Sequence, residues 1–215
     1  MLESGHRQML EDVLEKWRRG QTGPLPHLTS LQLLQALILI HEKAPVGRRI
    51  LAQELEISDG TVRGLQERLA EQGIIQVNKS GAVLTGQGAS RLRKHLSELN
   101  IMKMEFLDGC ELVPGKSATA IQLIGKYRPG MTGVPQRDEA VRSGAQGSII
   151  IGFRGGRLVL PPDNREASEI SPREDKRLCD IFDLSENDLI VIGFASNKPR
   201  SLSGALAAVL TITGS

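Results

Sequence analysis

The chain has 215 residues, 40% of them apolar and 3% aromatic, and it carries 27 Lys and Arg against 25 Asp and Glu. This apolar fraction is enough for a packed core and excludes wholesale disorder, and no apolar run approaches the ~20 residues that span a bilayer. The start lacks the apolar core of a secretory signal, and Cys110 and Cys179 have no paired spacing. These features predict a cytoplasmic protein of one large or two small domains, with reduced cysteines.

Residues 1–27 are predicted to form a short amphipathic helix followed by a linker. Leu10, Val13, Leu14 and Trp17 recur at helical spacing, and 21–26 are rich in Gly and Pro. The apolar stripe of this helix would dock on the body of the protein or pair with a second copy.

Residues 28–100 have the order helix, helix, turn, helix, hairpin and helix, which predicts a winged helix-turn-helix domain. Pro45 and Gly47 break the first helix, and the turn Ile57–Gly60 precedes a helix that buries Val62, Leu65 and Leu69. The predicted segments are a helix from Thr29 or Ser30 to Pro45, a second from about 48 to 55, a third about 61–73, strands at 74–77 and 82–85, and a last helix about 88–99.

Two stretches carry a resemblance to known proteins. Leu55–Arg63 and Leu69–Ile75 resemble archaeal winged-helix regulators in their small turn, Thr-Val-Arg helix start and Gly-Ile-Ile lead into the wing. Gln136–Ala140 and Gly144–Gly147 resemble an uncharacterised archaeal family that joins such a winged helix to a C-terminal domain of unknown function. The resemblance covers about 28–213 and implies DNA binding by the first domain, but it supplies no activity for the second.

Residues 101–215 are predicted to form a compact α+β domain with a mixed sheet, for effector sensing or dimerisation. Arg154–Arg157 contains paired glycines and predicts a tight hairpin turn, and Ser171–Glu174 predicts a capped helix start with Pro at its first position. Residues 101–108 are expected to form a short strand or a junction. Strands are expected at 118–126, 148–153, 158–160 and 189–195, and helices at 135–144, 171–182 and 201–212.

The charge is mildly basic within 43–94, where nine Lys and Arg stand against five Asp and Glu. This bias is too weak to bind a polyanion by charge alone, so a nucleic-acid role must rest on shape and on a few placed residues. On the third helix, Arg can reach a guanine edge, Gln can read adenine, and Thr with the helix N-terminus can hold a phosphate. The candidate DNA contacts are Arg48, Arg49, Ser58, Thr61, Arg63, Gln66 and Lys79.

Two features of the C-terminal domain could bind a small anion. The loop 196–201 joins a buried strand to a helix, where amide groups, the helix dipole and two cations favour a phosphate or carboxylate; ordinary helix capping is the alternative. The charged triplet 137–139 opens another helix and could line a pocket, or Arg137 could pair with Asp163 or Glu166. The candidate ligand residues are Arg137, Asp138, Ser196, Asn197, Lys198, Arg200 and Ser201.

Catalytic and metal sites have little support. The four His residues are scattered, neither Cys has a nearby His, and Gly-x-Ser-x-Gly is absent from the sequence. No cofactor, metal or catalytic residue is predicted, and the protein is not expected to be an enzyme, although the C-terminal domain leaves that question open.

The leading hypothesis is a DNA-binding transcription regulator that binds double-stranded DNA as a homodimer and senses a small anionic effector. The alternative is a metabolic enzyme or anion-binding protein whose winged helix contacts proteins, with a deep pocket near Arg137, Lys198 and Arg200. A non-specific RNA or chromatin module is a third possibility, but four Phe and one Tyr leave few stacking platforms.

Overall fold

The computed structural model describes residues 28–213, which fall into two compact units divided between His95 and Leu96. The predicted N-terminal helix and linker lie outside the described residues. None of the described helices is long and apolar enough to cross a membrane.

The first unit is a winged helix-turn-helix, as its sequence predicts. Thr29 caps the first helix through its side chain, which accepts the Gln32 N–H, while the Gln32 side chain accepts the Thr29 N–H. The elements are α1 (Ser30–Lys43), α2 (Arg48–Leu55), α3 (Asp59–Glu71), the hairpin β1 (Ile75–Asn78) and β2 (Gly81–Leu84), and α4 (Gly86–Glu98), which crosses the division between the units.

Helix α1 is the centre of this unit. Every residue from Leu33 to Ile40 is buried, which is the pattern of a helix surrounded by other elements rather than lying on a surface. It packs against α2 and β2, and α3 packs against α2 and β1. The core therefore holds α2 and α3 at fixed positions on one scaffold.

The hairpin is attached to the loop between α1 and α2. Val46 and Ala82 exchange two backbone hydrogen bonds of 2.9 and 2.8 Å. A Cβ at Gly81 would lie 2.5 Å from the Val46 carbonyl carbon, so only glycine allows the two chains to approach this closely. The base of the wing is thereby held beside the start of α2.

The second unit is an antiparallel six-stranded sheet with helices on both faces. Its strands lie in the order β3-β4-β8-β5-β6-β7. The elements are β3 (Ile101–Leu107), β4 (Ser117–Leu123), α5 (Val134–Arg142), β5 (Gly147–Arg154), β6 (Arg157–Leu160), β7 (Arg165–Glu166), α6 (Ala167–Ile170), α7 (Pro172–Ile181), β8 (Leu189–Ala195) and α8 (Lys198–Thr213).

The α+β class is confirmed, but the expectation of a mixed sheet is wrong. Strands β4 and β5 do run parallel to each other through the connecting helix α5, as the sequence order suggests. Strand β8 inserts between them and pairs antiparallel with both, so every pair of neighbouring strands is antiparallel. Strand order depends on contacts between distant segments, which the local pattern does not contain.

The two faces of the sheet are covered by different helices. On one face, Thr119 Oγ1 lies 2.8 Å from Ser201 Oγ of α8, and a Cβ at Gly193 would lie 2.2 Å from the Ala205 nitrogen. On the other face, Leu178 of α7 belongs to a cluster that contains Ile190 and Ile192. Side chains alternate along β8, which assigns 191 and 193 to the α8 face and 190 and 192 to the α7 face.

Candidate nucleic-acid interface

The turn between α2 and α3 is built from local backbone bonds. Glu56 ends α2 in the left-handed conformation at φ 52°, and its N–H donates to carbonyl groups of α2. Ser58 begins α3 by accepting the Thr61 N–H at 3.1 Å through its Oγ. These caps hold the first turn of α3, with Asp59 and Gly60, exposed at the surface of the unit.

Two residues expected on the exposed face of α3 are instead buried, which corrects the predicted set of DNA contacts. Thr61 is 8% exposed and Gln66 is 7% exposed. The Thr61 hydroxyl lies 2.8 Å from Ser58 Oγ, so it belongs to the cap of the helix. Neither side chain faces outward as a contact to a base or phosphate requires.

Arg63 does lie on the exposed face of α3, one turn after Gly60. Its Nε donates a hydrogen bond of 2.9 Å to a carboxylate oxygen of Glu67. This hydrogen bond and the negative charge of Glu67 raise the pKa of Arg63 above its ordinary value. Arg48 of α2 makes a similar exposed pair, 2.9 Å from Asp59. This second pair holds the start of α2 beside the start of α3.

The N-terminus of α2 presents backbone donors as well as cations. Gly47 caps it without a side-chain hydrogen bond. Among the described residues, the N–H groups of Arg48 and Arg49 have no acceptor, and both side chains are exposed. Free N–H groups at a helix start, together with two guanidinium groups, form an arrangement that suits a phosphate.

Lys79 is exposed at the tip of the wing, as the sequence predicts. The tip is a two-residue turn whose shape is fixed by Asn78, because its side-chain oxygen accepts the Ser80 and Gly81 N–H groups at 2.8 and 3.0 Å. The wing therefore holds one cation at its end.

Two separate parts of the chain are similar to known protein families. Residues 32–99 match the family described as CggR N-terminal DNA binding domain, and residues 114–212 match a domain of unknown function, DUF4443. The chain is therefore similar to a CggR-type DNA-binding domain over residues 32–99 and to DUF4443 over residues 114–212. The region 114–212 is called the DUF4443 domain below. A hypothetical protein from Pyrococcus horikoshii OT3 has a similar solved structure, with 26% identity and a TM-score of 0.71, over 86% of this chain and 93% of that one. No curated protein matches the chain.

In the DUF4443 domain, the loop 196–201 serves as a helix cap. Asn197 accepts the Arg200 N–H at 2.9 Å through its side chain and the Ser201 N–H at 3.1 Å through its carbonyl. Ser201 is fully buried against Thr119, and Lys198 Nζ lies 3.7 Å from the centre of the Phe106 ring. Ser196 is exposed before the cap. The Arg200 and Ser201 N–H groups and the Ser201 hydroxyl are already hydrogen-bonded within the protein. This favours helix capping over anion binding as the role of the loop.

The other predicted ligand residues lie near the start of α5. Arg137 pairs with the adjacent Asp138 at 3.0 Å; Arg137 is exposed and Asp138 is half-buried. The alternative that Arg137 pairs with Asp163 or Glu166 is not supported, because Arg137 pairs with Asp138 and Glu166 is bound by Arg157 across the β6–β7 hairpin. Arg137 also lines a cavity.

The two predicted ligand features are separated along an antiparallel helix pair. Gln136, near the start of α5, donates to Thr211, near the end of α8, at 3.0 Å. Ser203, near the start of α8, reaches the Ser143 carbonyl after α5 at 3.5 Å. Lys198 and Arg200 therefore lie toward the opposite end of α5 from Arg137, and the single deep pocket of the enzyme hypothesis is not formed by these residues.

Both thiols of the second unit have a pKa raised above the ordinary value for cysteine. Burial raises the pKa of Cys110, while partial desolvation and the charges of Asp175 and Asp180 raise the pKa of Cys179. Across residues 28–213, no group of three His, Cys, Asp or Glu side chains is placed to hold a metal ion.

Sequence reasoning missed the carboxylates that hold the interface cations. Glu67 follows Arg63 by four residues, a helical spacing that identifies the pair from sequence. Asp59 is eleven residues from Arg48, and only the folded helix pair brings them together.

Proposed function

We propose that this protein is a transcription regulator that places α3 in the major groove of double-stranded DNA. The observation that carries the proposal is the exposed first turn of α3, where Gly60 has no side chain and Arg63 projects one turn later. An α-helix fits the width of the major groove, and a glycine in its first turn allows the backbone to come close to the base edges or phosphates. The match of residues 32–99 to a DNA-binding family supports this assignment.

In the proposed complex, Arg63 leaves Glu67 to reach a base edge. Both side chains are more than half exposed, at 68% and 58%, so the pair is weakly held and can be exchanged. Guanine offers two acceptors that match the forked guanidinium. Glu67 then acts as a competitor for Arg63 in the free protein.

Backbone phosphates would be held on either side of α3. Arg48 and Arg49 would bind one phosphate with the free N–H groups of α2, and Lys79 would bind another from the wing. Such contacts fix the position of the recognition helix without reading sequence. Each released counterion makes the affinity fall with salt.

We assign the DUF4443 domain a role in effector sensing or in holding a homodimer, within the cytoplasm. An effector can regulate DNA binding only if it binds one state of the protein better than the other. Dimerisation would add a second recognition helix and a second half-site.

The test is a titration of the purified full chain against fluorescent DNA fragments at two salt concentrations. Fragments from upstream of its own gene are compared with unrelated DNA of equal length. A preference of about 10³ that persists at the higher salt supports a sequence-reading regulator. Arg63→Ala should lower that preference by roughly one to two factors of ten for each half-site. Arg142→Ala, which removes a similarly exposed Arg of the second unit, should leave it unchanged. Equal binding of all fragments at both salts contradicts the proposal.

A further inference from the structure

A cavity of about 140 Å³ lies in the DUF4443 domain beside the part of β5 that β6 leaves unpaired. Residues Ser148–Ile150 of β5 form one wall. The first turn of α5, with Gly133 and Arg137, forms a second wall, and Leu160 and Pro161 form a third.

The backbone of β5 turns polar groups toward this cavity. Phe153 donates to the Asp188 carbonyl at 2.8 Å and accepts the Asn187 N–H at 2.9 Å, so its backbone groups face the β8 side. In an antiparallel strand, successive residues direct their N–H and C=O groups to opposite sides. Ser148 and Ile150 therefore direct theirs away from β8, toward the unpaired edge.

Strand β6 does not reach this edge. Its pairing with β5 stops at Gly152 and Val159, and Pro161, which lies two residues beyond Val159, has no N–H to donate. Within residues 28–213, the edge-facing backbone groups of Ser148 and Ile150 have no hydrogen-bond partner, although each residue is only 4% exposed. Buried backbone groups are nearly always paired, so these indicate a missing partner.

The Ser148 side chain, in the same wall of the cavity, also lacks a hydrogen-bond partner among the described residues. Its hydroxyl is buried. Ser148 and Ile150 share the face of β5 that is turned to α5, because a Cβ at Gly133 would lie 3.2 Å from Ile150 Cγ1. The unpartnered hydroxyl thus lies at the junction of the strand and the helix start.

The helix start adds positive potential. Gly133 caps α5 at φ 76° without a side-chain hydrogen bond, and Pro135 in its first turn has no N–H. The positive end of the helix dipole faces this region, and Arg137 is the one charged residue among those lining the cavity. Both features favour an anion.

We propose that this cavity binds the oxyanion group, carboxylate or phosphate, of a small metabolite. The unpaired N–H groups and the Ser148 hydroxyl would donate to the oxygens, and Arg137 would supply the charge after leaving Asp138. A cavity of about 150 Å³ holds a molecule the size of benzene. The ligand is therefore a small acid or phosphate, or the end of a larger molecule that extends into solvent.

Only the role of this ligand as the effector of a transcription regulator rests on the proposed function. Binding of the anion is a property of the DUF4443 domain that can be measured without DNA. Failure of anion binding would leave the DNA titration unaffected, and the two failures are distinguishable.

The test is an NMR titration of the ¹⁵N-labelled full chain with inorganic phosphate and, separately, with acetate, using chloride as the ionic-strength control. We expect saturable shifts of the Ser148 and Ile150 amide signals with at least one of the two anions, and none of that kind with chloride. The anion that binds more tightly identifies phosphate or carboxylate as the preferred group.

Three variants distinguish a specific anion-binding site from non-specific electrostatic attraction to exposed cations. Arg137→Gln should weaken binding about tenfold or more, because a charge-assisted contact is lost. Arg142→Gln is the matched control, since it removes an exposed Arg from the same helix that does not line the cavity. Ser148→Ala removes a hydroxyl that has no hydrogen-bond partner within residues 28–213, so it should weaken binding without destabilising the fold. The proposal is overturned if neither anion gives saturable shifts, or if Arg137→Gln and Arg142→Gln bind alike.

Discussion

Substitution of Gly60 by Ala separates the stability of the first unit from its proposed contact with DNA. A Cβ at Gly60 would meet only Ser58 Oγ, at 3.8 Å, which is an ordinary van der Waals contact. Gly60 is helical and exposed, so Ala fits the free protein without strain. If α3 lies against DNA through this turn, the same methyl group occupies space that the DNA needs.

The expected change in stability follows from helix propensity. Gly to Ala at a compatible helical position raises the free energy of unfolding by about 0.4–1 kcal/mol, partly by restricting the unfolded chain. For a unit of this size, that corresponds to an increase in Tm of roughly 2–8 °C. Chemical and thermal unfolding of the full chain, followed by circular dichroism, measures this gain.

The expected change in DNA affinity has the opposite sign. Loss of the close approach should cost at least as much as one weakened base contact, about 1 kcal/mol or fivefold in Kd. Gly86→Ala is the matched control, because Gly86 begins α4, is exposed, and has no atom within 4 Å of an added Cβ. Both variants should gain stability, but only Gly60→Ala should lose affinity. Equal affinities of the two variants for the preferred fragment would refute the placement of this turn at the DNA.

Three further predictions follow from other contacts. Glu67→Gln should tighten DNA binding severalfold in the fluorescence titration, because it removes the carboxylate that competes with DNA for Arg63 and a negative charge that repels phosphate. Ser171→Ala should lower the free energy of unfolding by removing the cap of α7, and should raise the pKa of Glu111, which the Ser171 hydroxyl and then Arg173 hold below its usual value. The lowered pKa of Glu111 stabilises the folded protein at pH values above the ordinary Glu pKa, and this stabilisation is lost as the pH falls through the pKa of Glu111 in the folded protein. The free energy of unfolding in urea should therefore differ more between the variant and wild type at neutral than at acidic pH. Gly193→Ala should destabilise the second unit by about 1–3 kcal/mol or more in the same assay, since its Cβ would meet the backbone of α8.

Elements whose signals are local were predictable from the sequence. The Ser-Pro-x-Glu pattern gives the start of α7, and Ser171 accepts the Glu174 N–H at 3.0 Å as expected. The reciprocal bond of the capping box does not form, because the Glu174 carboxylate instead accepts the Glu111 N–H at 2.9 Å. A contact with Glu111, 63 residues away in sequence, therefore determines which N–H group the Glu174 carboxylate accepts.

The width of the buried stripe on α3 was the main source of error at the candidate interface. Apolar spacing identifies Val62, Leu65 and Leu69 as its centre, and all three are buried. Thr61 and Gln66 flank that centre, and their burial depends on how closely α2 and the wing pack, which hydrophobic periodicity does not encode. The unpaired edge of β5 was equally hidden, because it exists only where β6 ends in the folded sheet.

The narrower exposed stripe also bears on how specificity could arise. Because Thr61 and Gln66 are buried, Arg63 is the one predicted base-reading residue of α3 whose side chain is exposed. One bidentate base contact gives roughly one to two factors of ten in discrimination, whereas specific regulators exceed their non-specific binding by about 10³ or more. The remainder must come from DNA shape, from close backbone approach at Gly60, or from a second copy. A second copy would square the contribution of one half-site, which is the physical reason for proposing a homodimer when the recognition helix has so few base-reading residues.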